Sequence, residues 1–390
     1  MACDAAVPKK AAALALLAAA GVALTCIPAT AKGPTYRQPA GAATGVRTVT
    51  APGTPQLPGG LSALSWLVAD AETGAVLAAK DPHRKLAPAS TLKTLFAVTV
   101  LPKFRSSTVR RVSSADLAGV GAGSSLVGVQ LGHRYTVADL WRGVFLRSGN
   151  DAVHVLAAMN GGWQATAGEM QQTARKLGAH DTTVKSPDGY DAPGQVSSAY
   201  DLTVFARAGL ANDDFARYCG TARATFPGAG GALPIENTNR LLSGSHGVPR
   251  YPGIIGVKNG YTSKAGNTLI AAARRNGRTL LVTVLNPQSQ VANGVYKEAG
   301  SLLDWGFRTE GSTHPVGTLH AVRAAPLRPV AAQITGPERR VGHPASAASS
   351  ALVLGAGGAG IATFGLGSLL ARWRREPVPS GHGRKDGAAG

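Results

Sequence analysis

One serine and one lysine of this 390-residue chain, Ser90 and Lys93, have the types and the spacing that nucleophilic chemistry needs. A serine hydroxyl is almost wholly protonated near neutral pH, so it attacks a carbonyl only when a base lies beside it. Residues three positions apart share one face of a helix, which brings the Lys93 amine within reach of the Ser90 hydroxyl. The amine must be neutral to accept a proton, and burial or a nearby cation would make it so. The pair predicts a lysine-activated nucleophile, although the pattern alone also fits a surface helix.

A second polar segment, Ser148-Gly149-Asn150, separates two helical patterns. The first pattern covers Val137–Leu146 and begins with a capping box at Thr136, and the second covers 151–159. A short break between two apolar helices would hold Ser148 and Asn150 on a rigid frame. On its own, the segment also fits a helix-linking turn with local caps.

A third polar segment stands at the end of a predicted strand that starts near residue 253. Its candidate site residues are Lys258, Asn259, Gly260, Tyr261 and Thr262. An Asn-Gly turn within 275–277, with β-branched residues in the second arm, predicts a hairpin over 267–273 and 279–285. The strand-end position distinguishes this segment from the other Lys-x-Gly matches in the chain.

Strand-like runs on both sides of a helical middle predict the fold. Residues 65–70 and 75–79 form one hairpin, and the three later strands complete one antiparallel sheet. Residues 162–232 are predicted to be helices and loops, and 291–307 a closing helix. We therefore expect an α/β chain of the α+β kind, with a five-stranded antiparallel sheet, flanking helices and a helical subdomain.

The three polar segments, taken in order, resemble the three motifs of penicillin-binding proteins and serine β-lactamases. The surroundings of the third motif, together with residues 66–93, are similar to the low-molecular-mass D-alanyl-D-alanine carboxypeptidases. This resemblance covers 61–307, which we take as the catalytic domain. It implies a β-lactamase/transpeptidase-like fold, a peptidoglycan pentapeptide as substrate, β-lactams as inhibitors, and neither a metal nor another cofactor.

The resemblance also implies a role for each residue of the first two motifs. Ser90 would attack the carbonyl between two D-alanines, and Lys93 would take its proton. Ser148 would relay a proton to the leaving amine, while Asn150 would hold Lys93 and the substrate amide. Water would then hydrolyse the acyl-enzyme and release the shortened peptide.

The third motif is expected to bind the substrate. Lys258 would lower the pKa of Lys93 and attract the substrate carboxylate, and the backbone N–H groups of Ser90 and Tyr261 would form the oxyanion hole. Gly260 and Thr262 complete the binding segment. The family usually has Thr at the position of Asn259, where a hydroxyl helps to bind the terminal carboxylate. The Asn amide can also donate a hydrogen bond, so we expect activity with altered affinity.

Other functions of the same residues stay open at this point. A β-lactamase would need a positioned carboxylate, such as a Glu-x-x-x-Asn motif, but Glu169 and Glu236 are the only glutamates between the second and third motifs and neither precedes such an Asn. A transpeptidase or endopeptidase would use the same site. A catalytically silent, membrane-tethered wall-binding module is the alternative from a different class.

The charge of the chain indicates an anionic environment. The formal net charge is +19 and the isoelectric point is about 10.4, which favours anionic lipid or acidic wall polymer as neighbours. No zinc-finger, basic-zipper or aromatic RNA-binding motif is present in the sequence. We therefore do not expect nucleic acid as a partner.

The N-terminal residues have the pattern of an exported protein. Lysines 9 and 10, an apolar run over 11–27 and a small-residue cleavage site predict a signal peptide over 1–31. Residues 32–60 are rich in Pro and Gly and are predicted to be a disordered linker. Cys219 is then the one cysteine of the mature chain, and we expect it to be a buried apolar residue.

The C-terminal residues have the pattern of a membrane anchor. Residues 308–350 are predicted to be a flexible tether, and 351–371 carry no charge over about 30 Å of helix, the thickness of a bilayer core. The arginines that follow predict a cytoplasmic tail over 372–390. We expect a single-pass protein of the cell membrane whose catalytic domain faces the wall.

Overall fold

The computed structural model describes residues 48–309 and 314–320. Its strands are β1 Thr48–Thr50, β2 Ala63–Asp70, β3 Ala75–Lys80, β4 Val109–Arg111, β5 Arg134–Thr136, β6 Arg223–Gly228, β7 Gly231–Glu236, β8 Ile254–Thr262, β9 Gly266–Arg275, β10 Arg278–Pro287 and β11 Gly317–Thr318. Its α-helices are α1 Lys93–Val100, α2 Val137–Leu146, α3 Asn150–Met159, α4 Trp163–Lys176, α5 Ala199–Leu210, α6 Asp213–Cys219, α7 Arg240–Ser243 and α8 Gly294–Arg308.

A central antiparallel sheet joins the two ends of the described chain. Its strand order is β1-β3-β2-β10-β9-β8, and β11 also pairs with β3. The five predicted strands are all present, with short β1 and β11 added along β3. The strand β8, which carries the third motif, lies at the opposite edge of the sheet.

Each face of the sheet is covered by helices. Side chains of a strand alternate between the two faces, so Leu67 packs in the cluster that contains α1 and α5, while Trp66 and Val68 pack in the cluster that contains α8. The helix α2 begins at the predicted capping box, in which the Thr136 hydroxyl accepts from the backbone N–H of Asp139. The break between α2 and α3 falls at the second motif, as expected.

The predicted linker over 32–60 is wrong in its last part. Strand β1 pairs with β3 over residues 48–50, and Ala51 is buried. The Trp305 indole Nε1–H donates to the Pro55 carbonyl over 2.9 Å. The segment is rich in proline and glycine and has no apolar periodicity, so its sequence predicts no strand. The open edge of β3 nevertheless needs a partner for its backbone N–H and C=O groups, and β1 provides it.

The predicted tether over 308–350 likewise begins too early. The backbone N–H of Val316 donates to the Val76 carbonyl, β11 pairs with the first residues of β3, and Leu319 is fully buried. A strand of two residues has no detectable period in the sequence. These residues complete the same sheet edge as β1.

The region predicted as helices and loops also contains strands. Residues 162–232 include β6, which forms a hairpin with β7. Phe226 is the buried side chain of β6, and its ring stacks on Tyr135 of β5. Prolines in both strands obscured the alternation that would have predicted them.

Within the part of the chain that the structure describes, none of the helices has the length and apolar character required to span a bilayer. The predicted signal peptide over 1–31, the transmembrane helix over 351–371 and the cytoplasmic tail over 372–390 lie outside the described residues.

A chain that begins at residue 61 should be less stable than one that begins at residue 48. The Trp305 indole would lose its acceptor, and one buried donor without a partner costs about 1–3 kcal/mol, or about 2–12 °C in melting temperature for a domain of this size. Thermal unfolding followed by circular dichroism measures the difference. A chain that begins at residue 53 keeps Pro55 and should melt between the two, whereas equal melting temperatures would contradict the packing of residues 48–60.

Candidate active site

The first motif lies in a tight turn that leads into α1. Residues Ala89–Leu92 form a 3-10 helix, and α1 begins only at Lys93, so Ser90 precedes the α-helix instead of lying in it. The Lys93 Nζ donates to the Ser90 Oγ over 2.8 Å and to the Asp188 carbonyl over 2.7 Å. The structure therefore brings the predicted nucleophile and base into direct contact.

Burial prepares the Lys93 amine to act as a base. The residue is 1% exposed, and its removal from water lowers the pKa of Lys93 to about 8, against the attraction of Asp188 and Asp151, which raises it. An amine with this pKa is partly neutral near physiological pH. Burial therefore supplies the neutral amine that Lys93 needs to accept a proton from Ser90.

Lys258 forms a second buried amine in the same electrostatic environment. Its Nζ donates to the Asn259 carbonyl over 2.8 Å. Burial, and then the charge of Lys93, hold the pKa of Lys258 well below its usual value. The expected lowering of the pKa of Lys93 by the charge of Lys258 stays a prediction, because repulsion between two charges acts on both amines. Two such amines repel each other when both are charged, so the pair holds one proton more easily than two.

The second motif presents polar atoms that have no partner. Ser148 adopts a left-handed backbone with φ 57° and is 6% exposed. Its hydroxyl has no hydrogen-bond partner among the described residues, and neither has the buried Asn150 Oδ1. The Asn150 Nδ2 donates to the Ser124 Oγ over 3.0 Å, and the predicted bond from Lys93 to Asn150 is replaced by the bond to Asp188. Unpaired buried polar atoms are rare in proteins, and two of them, from Ser148 and Asn150, fall in the second motif.

The loop that carries Ser124 is anchored by a carboxylate. The Asp151 side chain accepts from the backbone N–H groups of Val127, Gly128 and Val129, at 3.1, 2.8 and 2.8 Å. The backbone N–H of Asn150 donates to the Ser125 carbonyl over 2.8 Å. Sequence reasoning missed Ser124, because nothing in the sequence shows which loop will meet the break between α2 and α3.

A second loop, residues 186–191, lies against the nucleophile turn. Gly189 has φ 80°, and a Cβ at this position would lie 2.1 Å from the Ala89 carbonyl oxygen. The Tyr190 hydroxyl donates to the Ala122 carbonyl over 2.8 Å, which joins this loop to the loop of Ser124. Sequence reasoning also missed Asp188, although the order Ser-Pro-Asp-Gly is a turn signal that could have drawn attention to the loop.

Strand β8 lies directly against the nucleophile. A Cβ on Gly260 would lie 2.6 Å from the Ser90 backbone nitrogen. Tyr261 is 68% exposed. The predicted substrate-binding Thr262 donates its hydroxyl to the Asp191 carboxylate over 2.8 Å. Thr262 thus ties β8 to the loop 186–191.

Two neighbouring cavities surround β8. The first has a volume of about 290 Å³ and is lined by Ser90, Ser124, Asn150, Tyr190, Tyr261 and Thr262, among others. The second has a volume of about 480 Å³, and its walls include Arg147, Thr238, Arg240, Asn259, Tyr261 and Tyr296. Lys93, Ser148 and Lys258 are buried and line neither cavity. A ligand that passes Tyr261 would contact the nucleophile on one side and two arginines on the other.

Comparison with known proteins identifies the family. The family model described as D-alanyl-D-alanine carboxypeptidase, of the S11 peptidases, matches residues 49–289. The chain belongs to this family of serine hydrolases. The carboxypeptidase DacB2 of Mycobacterium tuberculosis is 40% identical over 249 residues, which are 63% of this chain and 82% of that relative.

Solved structures agree with this assignment. A D-alanyl-D-alanine carboxypeptidase from Mycobacterium tuberculosis superimposes with a TM-score of 0.63 at 38% identity, covering 70% of this chain and 100% of the other. The Streptomyces K15 DD-transpeptidase superimposes with a TM-score of 0.59 at 28% identity, covering 65% of this chain and 99% of the other. The fold is the penicillin-binding, transpeptidase-like α+β fold that the sequence resemblance implied.

Replacing Gly260 with alanine should slow acylation of the site about 100-fold. The new methyl group would meet the Ser90 nitrogen at 2.6 Å and the Thr268 hydroxyl at 2.7 Å, and a displacement of about 1 Å at a reacting group can lower a rate about 100-fold. The rate of labelling by a fluorescent penicillin measures the effect.

Gly168→Ala serves as the matched control, because no atom lies within 4 Å of that added Cβ. It should label at the wild-type rate and gain up to about 1 kcal/mol of helix stability. Wild-type labelling of Gly260→Ala would show that β8 does not touch the nucleophile turn.

Proposed function

We propose that this protein is a serine-type D-alanyl-D-alanine carboxypeptidase that removes the terminal D-alanine from peptidoglycan stem peptides. The observation that carries the proposal is the 2.8 Å contact between the Ser90 hydroxyl and the Lys93 amine, whose pKa is lowered to about 8 by burial. The family to which the chain belongs supports the choice of substrate.

Acylation begins at the nucleophile. The Ser90 Oγ attacks the carbonyl carbon of the bond between the two D-alanines, and its proton passes to the Lys93 Nζ. The carbonyl oxygen becomes an oxyanion beside the backbone N–H groups of Ser90 and Tyr261, and each such donor is typically worth about 3 kcal/mol. The close approach of Gly260 to the Ser90 nitrogen supports this position for the oxyanion.

Collapse of the tetrahedral intermediate requires a proton on the leaving amine. The C–N bond breaks as Ser148 passes a proton to the D-alanine nitrogen, and the buried lysine pair replaces that proton. The unpaired Ser148 hydroxyl supports this relay role. Water then attacks the ester on Ser90 with a lysine amine as base, which releases the shortened peptide and restores the hydroxyl.

The two asparagines hold the peptide on either side of the bond that breaks. Asn150 has a free amide oxygen at the nucleophile, which suits a substrate N–H group. Asn259 lines the cavity of Arg147 and Arg240, whose charges suit the terminal carboxylate. Lys258 is buried, so these arginines take over the attraction of the substrate carboxylate that we expected from its charge.

The cellular setting of the proposal rests on the sequence. The protein would be exported by residues 1–31, and 351–371 would anchor it in the cell membrane with a cytoplasmic tail over 372–390. The catalytic domain would face the wall, where stem peptides and β-lactams reach it. The high positive charge supports a position close to an anionic surface.

Transpeptidation is the second candidate, because the Streptomyces K15 DD-transpeptidase shares the fold. Both reactions form the same acyl-enzyme and differ in whether water or an amine attacks it. Incubation of a D-Ala-D-Ala peptide with a large excess of glycine separates them. Free shortened peptide as the main product supports the carboxypeptidase, and a glycine-terminated peptide supports the transpeptidase.

Penicillin should acylate Ser90 and no other residue. Mass spectrometry of the intact protein should show the added mass of one penicillin, and peptide mapping should place it on Ser90, because among the described residues that hydroxyl alone contacts the buried base. Ser90→Ala should give no adduct and release no D-alanine, while the exposed Ser114→Ala should behave as wild type. Buried Cys219, whose pKa is raised by burial, should not react, and an adduct on any residue but Ser90 would overturn the assignment.

Acylation should accelerate as pH rises. The base works in its neutral form, and the pKa of Lys93 is about 8, so the neutral fraction grows about tenfold from pH 6 to 7 and levels off above about pH 9. Rate constants for penicillin acylation, measured from pH 6 to 10, test this. Lys93→Arg stays protonated in that range and should be acylated at least about 100-fold more slowly, whereas a flat wild-type profile would rule out Lys93 as the base.

A further inference from the structure

The side chain of Asn259 is an ambiguous partner for a substrate. The neutral amide offers an N–H donor on one atom and an oxygen acceptor on the other. A carboxylate accepts hydrogen bonds only, so it is bound when the N–H group faces the cavity and repelled when the oxygen does. A threonine, usual in the family at this position, rotates its hydroxyl and avoids the problem.

The first constraint on the amide comes from Thr238. The Thr238 hydroxyl donates to the Asn259 Oδ1 over 2.9 Å. This bond holds the amide oxygen against the segment that leads into α7. The Thr238 hydroxyl donates to no other atom of the described residues, so the observed orientation is the one that uses its proton.

The second constraint comes from Tyr296 on α8. The tyrosine hydroxyl has one proton, and it donates that proton to the Thr238 carbonyl over 3.1 Å. This bond holds the backbone of Thr238, and with it the hydroxyl that donates to the Asn259 Oδ1, at the wall of the cavity that Thr238, Asn259 and Tyr296 all line. Tyr296 therefore acts on the orientation of Asn259 through Thr238.

We infer that Thr238 and Tyr296 are positioning residues that fix the Asn259 amide with an N–H donor toward the cavity, so that Asn259 selects a terminal carboxylate. With Oδ1 bound to Thr238, the Nδ2 group is the donor that remains to the amide, and Asn259 lines the same cavity as Arg147 and Arg240. The inference rests on the proposed function and names residues outside the three motifs.

A double-mutant cycle tests the inference. Thr238→Val keeps the shape of the side chain and removes the donor, which frees the amide to turn. The KM for a D-Ala-D-Ala peptide should rise about tenfold, the effect of one hydrogen bond, with a smaller change in kcat. Thr238→Ser restores the donor and should restore KM.

In an Asn259→Thr background there is no amide to orient, so Thr238→Val should leave KM unchanged. An equal rise of KM in both backgrounds would assign Thr238 a merely structural role and overturn the inference. No rise in the wild-type background would overturn it as well. Tyr296→Phe should also raise KM when residue 259 is Asn and leave it unchanged in the Asn259→Thr background. The melting temperature of each variant confirms that it is folded.

A D-Ala-D-Ala peptide with a C-terminal amide in place of the carboxylate is the control ligand. Its inhibition constant is measured in competition with penicillin acylation. The constant should be the same for wild type and Thr238→Val, because this peptide has no carboxylate for Asn259 to bind. A wild-type protein that neither releases D-alanine nor is acylated by penicillin would refute the proposed function itself. A protein that is acylated normally, and whose carboxylate preference ignores Thr238, would refute this inference alone.

Discussion

The active site depends on keeping the Lys93 amine away from water and beside a hydroxyl. Desolvation disfavours the charged amine, and the structure supplies only the Ser90 hydroxyl and the Asp188 carbonyl as hydrogen-bond partners within the described chain. Asp188 is 95 residues away from Lys93 in the sequence. The amine is therefore buried only when the loop 186–191 packs against the nucleophile turn. The chemistry of one residue therefore requires the sheet, α1 and the loop 186–191 to assemble together.

Two residues of the site hold backbone conformations that side chains disfavour. Ala89 and Ser148 have φ values of 49° and 57°, and such positions cost of order 1–3 kcal/mol unless their surroundings impose them. Gly189 and Gly260 leave room for the turn at Ala89. Helices α2 and α3 hold Ser148 from both sides. The two conformations set the positions of two hydroxyls, that of Ser90, which follows Ala89, and that of Ser148 itself.

Sequence reasoning succeeded where geometry is local. The contact of Ser90 with Lys93 follows from their spacing, and the helix break at Ser148 follows from its polar residues between two apolar patterns. Sequence reasoning failed where a contact is made by backbone atoms or by very short strands. Asp188 acts through its carbonyl, which every residue has, and β1 and β11 are too short to show a period. The orientation of Asn259 depends on α8, which only the folded chain brings near.

The two amides of the site have opposite polarity, and this suits a peptide with a free end. Asn150 donates its N–H to Ser124 and leaves an oxygen acceptor at the nucleophile. Asn259 accepts from Thr238 and keeps a donor for the arginine-lined cavity. A backbone N–H group fits the first amide, and a carboxylate fits the second. A chain that continued past the second amide would bring an uncharged peptide group, in place of a carboxylate, to the cavity of Arg147 and Arg240. Under the proposed function this disfavours cleavage inside a peptide relative to removal of its last residue.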